Sequence, residues 1–481
     1  MAESEAGCPT SLLISIISNM PDFDTYLSPF TWRYGSAEMR RLWSESHKRR
    51  LWRQIWVALA EVQAEFGLVS PGQVGDLRAH VEEVDVDRAL EIESEIGHDL
   101  MAELKVFAEQ STLGGSILHL GATSADIEDN ADVLRIRQSL DLVLSRVGSL
   151  LVLFCEKIET WAEFPLIAFT HLQPAEPSTL GYRLAVYAQD LLGDWENLRR
   201  ARAHLRGKGF KGAVGTGASY GELIGDENLG EFEARLSTLL GLPFFPVTTQ
   251  VYPRKQDYQV VSVLAGLGAS LYKFAFDLRL LQSPPVGELA EPFGRKQVGS
   301  SAMPFKRNPV NAEKIDSLAR ALAQLPRLAW DNAAHSLLER TLDDSANRRM
   351  LLPEAFLICD ELLLVTSRVL EGLQVQETAL ERNLAIYGPF AGTERVLMAL
   401  GKAGADRQQM HERLRNHALT AWQAVQSGQA NPLVEQVCSD PIFQSFLKEG
   451  ELYGLLDAST YTGDAADRAR ALVDTIRQAV M

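Results

Sequence analysis

The residues able to do chemistry in this chain are few and far apart. His171 stands with Thr170 and Gln173 in FTHLQPAEP, residues 169–177. His98 is followed directly by Asp99. Ser300 and Ser301 open GSSAMPFKRNP, residues 299–309, which also carries Lys306 and Asn308. Arg340, Ser345 and Arg349 lie close together in ERTLDDSANRRM, residues 339–350. Histidine moves protons near neutral pH, a serine becomes a base or nucleophile only when its surroundings activate it, and arginines beside a hydroxyl suit a phosphate or carboxylate. No metal-ligand spacing, no Walker loop, no HExxH and no glycine-rich dinucleotide motif is present. What remains is acid–base chemistry on a small polyanion, with no cofactor and no metal.

Long helices must position these groups. Val133, Ile136, Leu140, Leu144, Val147, Leu151, Phe154 and Ile158 recur at steps of three and four, as do Val260, Leu264, Leu267, Leu271, Phe274, Leu278 and Leu281. Such seams predict bundle helices. Further helical runs are expected over 37–66, 83–110, 178–205 and 311–332, and from the Arg/Ser patch to about Leu373. Thr123 and Ser124, in HLGATSADIEDN (119–130), are cap and turn chemistry ahead of the first seam. FTHLQPAEP reads as a proline-punctuated loop and 207–226 as a glycine-rich one. Gly299, Pro304 and Pro309 keep the 299–309 stretch out of regular structure; by composition alone it also fits a solvated linker. Two-residue alternation is nearly absent, so the fold class is all-α. We expect an N-terminal helical domain (1–123), a central long-helix bundle (124–375) holding a loop at 286–309, and a smaller C-terminal helical domain (376–481). The seams carry more apolar surface than one chain covers, which predicts a homo-oligomer that pools its helices.

The 481 residues are 46% apolar and carry a net charge of −16. That charge opposes nucleic-acid binding and makes each cationic cluster a local exception to the field of the whole chain. Cys8, Cys155, Cys359 and Cys438 are scattered, which fits a reducing compartment. The N-terminus lacks a basic n-region, and Leu12–Ile17 is too short for a signal or a membrane span. Residues 1–25 read as a poorly ordered arm. These features give a soluble, cytoplasmic protein with no nucleic-acid or membrane partner.

GSSAMPFKRNP resembles the signature loop of the fumarase/aspartase superfamily, and FTHLQPAEP and HLGATS resemble its two other signature regions. Within it, ERTLDDSANRR, SSAMPFKRNP and residues 389–415 are similar to the eukaryotic-type adenylosuccinate lyase family. The resemblance runs from Arg33-Tyr34 to the last hundred residues. It implies three helical domains, a homotetramer, and active sites each built from three subunits. The implied reaction is β-elimination of fumarate: adenylosuccinate gives AMP, and the succinylated aminoimidazole carboxamide ribotide gives its carboxamide. It makes Ser300 the base and His171 the acid, with His98 assisting placement. Ser301 carries the same hydroxyl, and residue type alone does not separate the two serines. Lys306 and Asn308 would meet the carboxylate where charge develops. Arg33, Tyr34, Arg340, Ser345 and Arg349 would hold the nucleotide, chiefly its phosphate. Asp99, Thr123 and Ser124 would line the base and succinyl ends, and Thr170 would support the acid's loop.

Two positions depart from the family pattern: Gly217 replaces a glutamine and Lys314 an arginine. Other readings are a superfamily lyase acting on a substrate without phosphate, which leaves the Arg340/Ser345/Arg349 patch without a role, and a silent or purely structural helical protein, against which His171 and Ser300 stand.

Overall fold

The structure, a computed structural model, describes residues 23–480. The arm expected over 1–25 and the run Leu12–Ile17 therefore fall outside the described residues, except for 23–25. The long helices, numbered in chain order, are α1 (Glu45–Glu65), α2 (Ser124–Thr160), α3 (Leu180–Ala203), α4 (Lys255–Leu281), α5 (Ser345–Glu371) and α6 (Glu377–Lys402). Among the described residues the fold is all-α apart from two small two-stranded ribbons.

The two seams form the centre. On α2, all the predicted seam residues except Leu144 are 0% exposed, and on α4 all seven are buried. Each such side chain contributes about 2 kcal/mol when fully buried, so the seam, and not helix propensity, decides where these helices lie. α2 packs on α1, α3 and α5, and α4 packs on α3 and α5. Both α2 and α4 are long and apolar enough to cross a membrane, but here they are core helices of the bundle. α3 and α4 nevertheless leave Val186, Phe276 and Leu280 exposed along the bundle.

Several expected runs are interrupted, each by a local competitor. The run over 37–66 divides into Ala37–Leu42 and α1 because the Ser44 hydroxyl caps α1, accepting from the His47 N–H at 3.2 Å. The run over 83–110 divides at Gly97, which takes φ 66° and ends Val86–Ile96 before Asp99–Gln110 starts. The run over 311–332 divides into Val310–Leu322 and Leu325–Ala334, where Pro326 in the first turn lacks the N–H needed to continue the preceding helix.

FTHLQPAEP is not a loop. It is most of an antiparallel hairpin, β1 (Pro165–Thr170) and β2 (Gln173–Thr179), with Thr170 paired to Gln173. The proline signal misled because a two-stranded ribbon has only edges, where a missing N–H costs little. A bulge between Ile167 and Phe169 adjusts the register. From the end of α6 onward, a second core gathers Val396, Leu400, Leu433, Phe443 and Leu452. The final helix, Ala465–Val480, returns to pack on α2 and α3, with Ala469, Val473 and Ile476 in the main core.

Candidate active site

A cleft of about 480 Å³ opens where the N-terminal ends of α2 and α5 meet Asp99–Gln110. His98, Asp99, Thr123, Ser124, Arg340, Ser345 and Arg349 all line it. These residues come from three separate stretches, so the fold converges on the chemistry that their types imply.

The start of α2 is fixed from below by Asp126. Its side chain is fully buried. It accepts from the Thr123 N–H at 3.0 Å, the Lys211 and Gly212 N–H groups at 3.2 Å each, and the Tyr220 hydroxyl at 3.1 Å. It also pairs with the buried Lys208 ammonium. The glycine-rich stretch thus wraps its backbone around a carboxylate of the chain itself, holding Thr123 and Ser124 at the cleft. Gly217 has φ 73°, a conformation that favours glycine, and an added Cβ would sit 3.3 Å from Leu229.

The cationic patch is held from behind in the same way. Arg254 forks onto both oxygens of Asp129 at 3.0 and 3.1 Å and donates to Asp344 at 2.6 Å. Asp344 also accepts from Arg340 at 2.7 Å. Arg348 donates to Asp257 at 2.8 Å and to the Tyr252 hydroxyl at 2.7 Å, and pairs with Asp132 at 3.2 Å. Burial works against the Asp344 charge, yet the guanidiniums of Arg254, Arg348 and Arg340 hold its carboxyl below the usual range. Burial drives the Tyr252 phenol well up, so it stays a neutral relay between Asp257 and Arg348. At the mouth, Arg349 donates to Asp99 at 3.0 Å, and the Ser124 hydroxyl lies 3.4 Å from His98 Nε2.

Glu128, Asp129, Asp132, Arg254 and Arg348 also line the cleft, and residue-type reasoning passed over them. A signal was present: Ser124, Glu128, Asp132 and Arg135 follow at steps of four, four and three along one face of the helix. Burial, followed by the nearby carboxylates of Asp99, Asp129 and Asp132, pushes the Glu128 carboxyl up to about 8, against the pull of Arg349.

The other predicted residues lie outside this cleft. Thr170 and His171 are exposed at the hairpin tip, where His171 and Leu172 take φ 52° and 59°. Two positive φ angles make a type I′ turn, which normally selects Asn-Gly. Ser300, Lys306 and Asn308 sit in the 299–309 loop. The Ser300 hydroxyl accepts from the Met303 N–H at 3.1 Å, Asn308 donates to the Gly299 carbonyl at 3.0 Å, and Lys306 is exposed, as is Ser301. Glu291 anchors the far side of this loop through the Asn311 and Ala312 N–H groups at 3.0 and 2.9 Å. Arg33 is exposed against the Trp32 ring. Tyr34 packs under Lys314, whose ammonium is 4.9 Å from the ring centre and pairs with Glu361. Glu361 and Asp360 in turn accept from the Gly35 and Ser36 N–H groups at 2.9 and 2.6 Å. The Arg33-Tyr34 corner therefore leans on the helix that follows the loop.

A lyase family model matches residues 35–322, and a model of the adenylosuccinate lyase C-terminus matches 389–472. An adenylosuccinate lyase of Schistosoma mansoni is 38% identical over 463 residues, 95% of this chain and 96% of the relative. One of Schizosaccharomyces pombe is 37% identical over 465 residues, 95% of each. The chain belongs to the adenylosuccinate lyase family. Solved structures carry the same architecture across the wider superfamily. A fumarate lyase from Mesorhizobium sp. BNC1 superposes with a TM-score of 0.80 at 26% identity, covering 94% of this chain and 99% of that one. A 3-carboxy-cis,cis-muconate lactonizing enzyme from Pseudomonas putida gives 0.81 at 26% identity, covering 93% and 99%.

Proposed function

We propose that this chain is an adenylosuccinate lyase, a carbon–nitrogen lyase that releases fumarate from adenylosuccinate, giving AMP, and from succinylaminoimidazole carboxamide ribotide in purine biosynthesis. The observation that carries the reading is the cleft, where Arg340, Ser345 and Arg349 meet His98, Asp99, Thr123 and Ser124.

In this reading the phosphate lies against Arg340, Ser345 and Arg349, with the nucleotide reaching toward Thr123, Ser124 and Asp99. Ser300 removes the proton from the carbon next to the distal carboxylate. Electron density moves onto that carboxylate, where Lys306 and Asn308 meet the added charge. The C–N bond then breaks as His171 gives its proton to the leaving nitrogen, and fumarate departs. His98, next to Ser124, helps to place the substrate, and Arg33 and Tyr34 complete its enclosure. The chemistry asks for no cofactor and no metal.

His171 and Ser300 do not line the cleft of their own chain, and apolar side chains stay exposed along α3 and α4. Both features support a homotetramer in which one subunit supplies the cleft, a second the hairpin and a third the loop. The 286–301 segment, in which residues 294–296 and 298 are exposed while Glu288, Leu289 and Glu291 are buried, would close over the bound substrate. The described cysteines, Cys155, Cys359 and Cys438, are free and buried, in keeping with a cytoplasmic enzyme. The test is to add adenylosuccinate and follow the ultraviolet change as fumarate leaves. Cleavage that vanishes in Ser300→Ala supports the reading. No cleavage by a folded oligomer, or inhibition by malate or arginine rather than AMP, would overturn it in favour of another superfamily lyase.

A further inference from the structure

Four carboxyl groups stand together in the cleft, and three have partners. Asp99 accepts from Arg349, Asp129 from the fork of Arg254, and Asp132 pairs with Arg348. The fourth, Glu128, accepts no hydrogen bond and joins no ion pair among the described residues. It lies one helical turn beyond Ser124, on the same face of α2, and its half-buried side chain lines the cleft wall. The remaining charges around it are also committed. Arg340 is held by Asp344, and Arg49 and Lys48 answer Glu93 and Glu45 on the α1 side. His98 faces it from the start of Asp99–Gln110, and Arg135 from farther along α2. Among the described residues each cation lining the cleft already has a carboxylate partner, Arg135 with Asp132 at 3.4 Å and Arg349 with Asp99, and a phosphate entering the cleft adds more negative charge beside Glu128.

We propose that Glu128 engages the bound nucleotide as a neutral carboxylic acid, donating its O–H to the anionic group that Arg349 receives, so that the cleft takes up a proton as ligand binds. The inference rests on the nucleotide reading above and deepens it. A glutamate among carboxylates would repel a phosphate, whereas a glutamic acid gives it a donor. An O–H donated to an anionic oxygen is among the stronger hydrogen bonds. The free group, pushed up to about 8, is half ionised near that pH, and bound phosphate raises its affinity for the proton further. Binding is then tightest below about pH 8. Above it, affinity falls by up to about tenfold per pH unit until the bound form also ionises. Glu128 is a specificity-determining residue in this scheme, since an electrically neutral ligand at the same place gains no such donor and takes up no proton.

The test uses AMP as the probe and the full-length protein between pH 7 and 9.5, above the second ionisation of the phosphate at about 6. Titration calorimetry at pH 8, in buffers of different ionisation enthalpy, counts the protons taken up. Wild type is expected to take up about half a proton and to bind AMP more weakly as pH rises. Glu128→Gln keeps a donor of the same shape, takes up none, and binds with a Kd that is flat across the range. A flat Kd in wild type, or equal uptake in wild type and Glu128→Gln, overturns the proposal. Infrared titration of the wild-type carboxyl provides a check that depends on neither the variant's folding nor a ligand: loss of the protonated band well below pH 7 overturns it too. If neither protein binds AMP at any pH, the nucleotide reading itself has failed, an outcome separate from AMP binding without proton uptake.

Discussion

The cleft and the pair formed by the hairpin tip and the 299–309 loop are built on opposite principles. In the cleft Arg254, Arg340, Arg348 and Asp129 are each held from behind by a buried partner, as Arg340 is by Asp344, and the start of α2 is held by Asp126. At the hairpin tip His171 is exposed in a turn that disfavours its backbone angles, and Ser300 touches little beyond its own loop. One chain fixes its proposed phosphate-binding groups with its own core but leaves its proposed acid and base on the outside. On the proposed reading, the phosphate-binding geometry is completed by folding alone, whereas the catalytic geometry waits for another surface.

The sharpest way to break that comparison is to separate binding from turnover. Ser300→Ala and His171→Ala are each expected to lower kcat by about 10³- to 10⁴-fold, with AMP affinity by calorimetry shifted less than about threefold. If the two variants are mixed and allowed to exchange subunits, some sites regain both groups and activity partly returns. Verified exchange without recovery would mean that acid and base come from the same subunit, and the contrast between the regions would lose its cause.

Asp126 tests the other half of the contrast, that the cleft is made by the core. Asp126→Ala leaves the Lys208 ammonium buried without its partner and frees four other donors. Unpairing a buried charge typically costs about 3–5 kcal/mol, so the denaturant midpoint should fall accordingly and nucleotide binding should fall with it. A loss below about 1 kcal/mol would show that the glycine-rich stretch is held by something other than this carboxylate.

How much of this was legible in the sequence follows the same division. The two seams were readable because periodic burial is local in sequence, and nearly every seam residue is buried. Seven residues of the cleft were readable from type and motif. Glu128, Arg254 and Arg348 were passed over because their meaning depends on what they face across the fold. The hairpin was read as a loop because prolines hide an edge ribbon, and the split helices depended on Ser44, Gly97 and Pro326 outcompeting a continuous apolar pattern. Gly217 was read as a lost contact, and its φ of 73° gives a backbone reason for it.

A smaller effect separates the two regions by kinetic constant. Arg340→Ala removes one phosphate donor while Arg254 still holds Asp344. A hydrogen bond to a charged group contributes about 1.5–3 kcal/mol, so KM should rise about 10- to 100-fold with kcat changed less than about threefold. A fall in kcat with KM unchanged would place Arg340 at the reacting end instead of the phosphate.

The smallest expected effect concerns the hairpin tip. Leu172 is 70% exposed and sits at φ 59°, so Leu172→Gly forfeits little burial and removes a steric penalty of about 1–2 kcal/mol. Part of that gain is offset by the greater chain entropy of glycine, about 0.5–1 kcal/mol, leaving a net stabilisation of about 0.5 kcal/mol. If the tip is shaped to hold His171 against another subunit, relaxing it should lower kcat by about 3- to 10-fold while stability rises and AMP affinity stays the same. Equal kcat in Leu172→Gly and wild type would mean that the strain is incidental. The hairpin would then differ from the cleft only in position, not in principle.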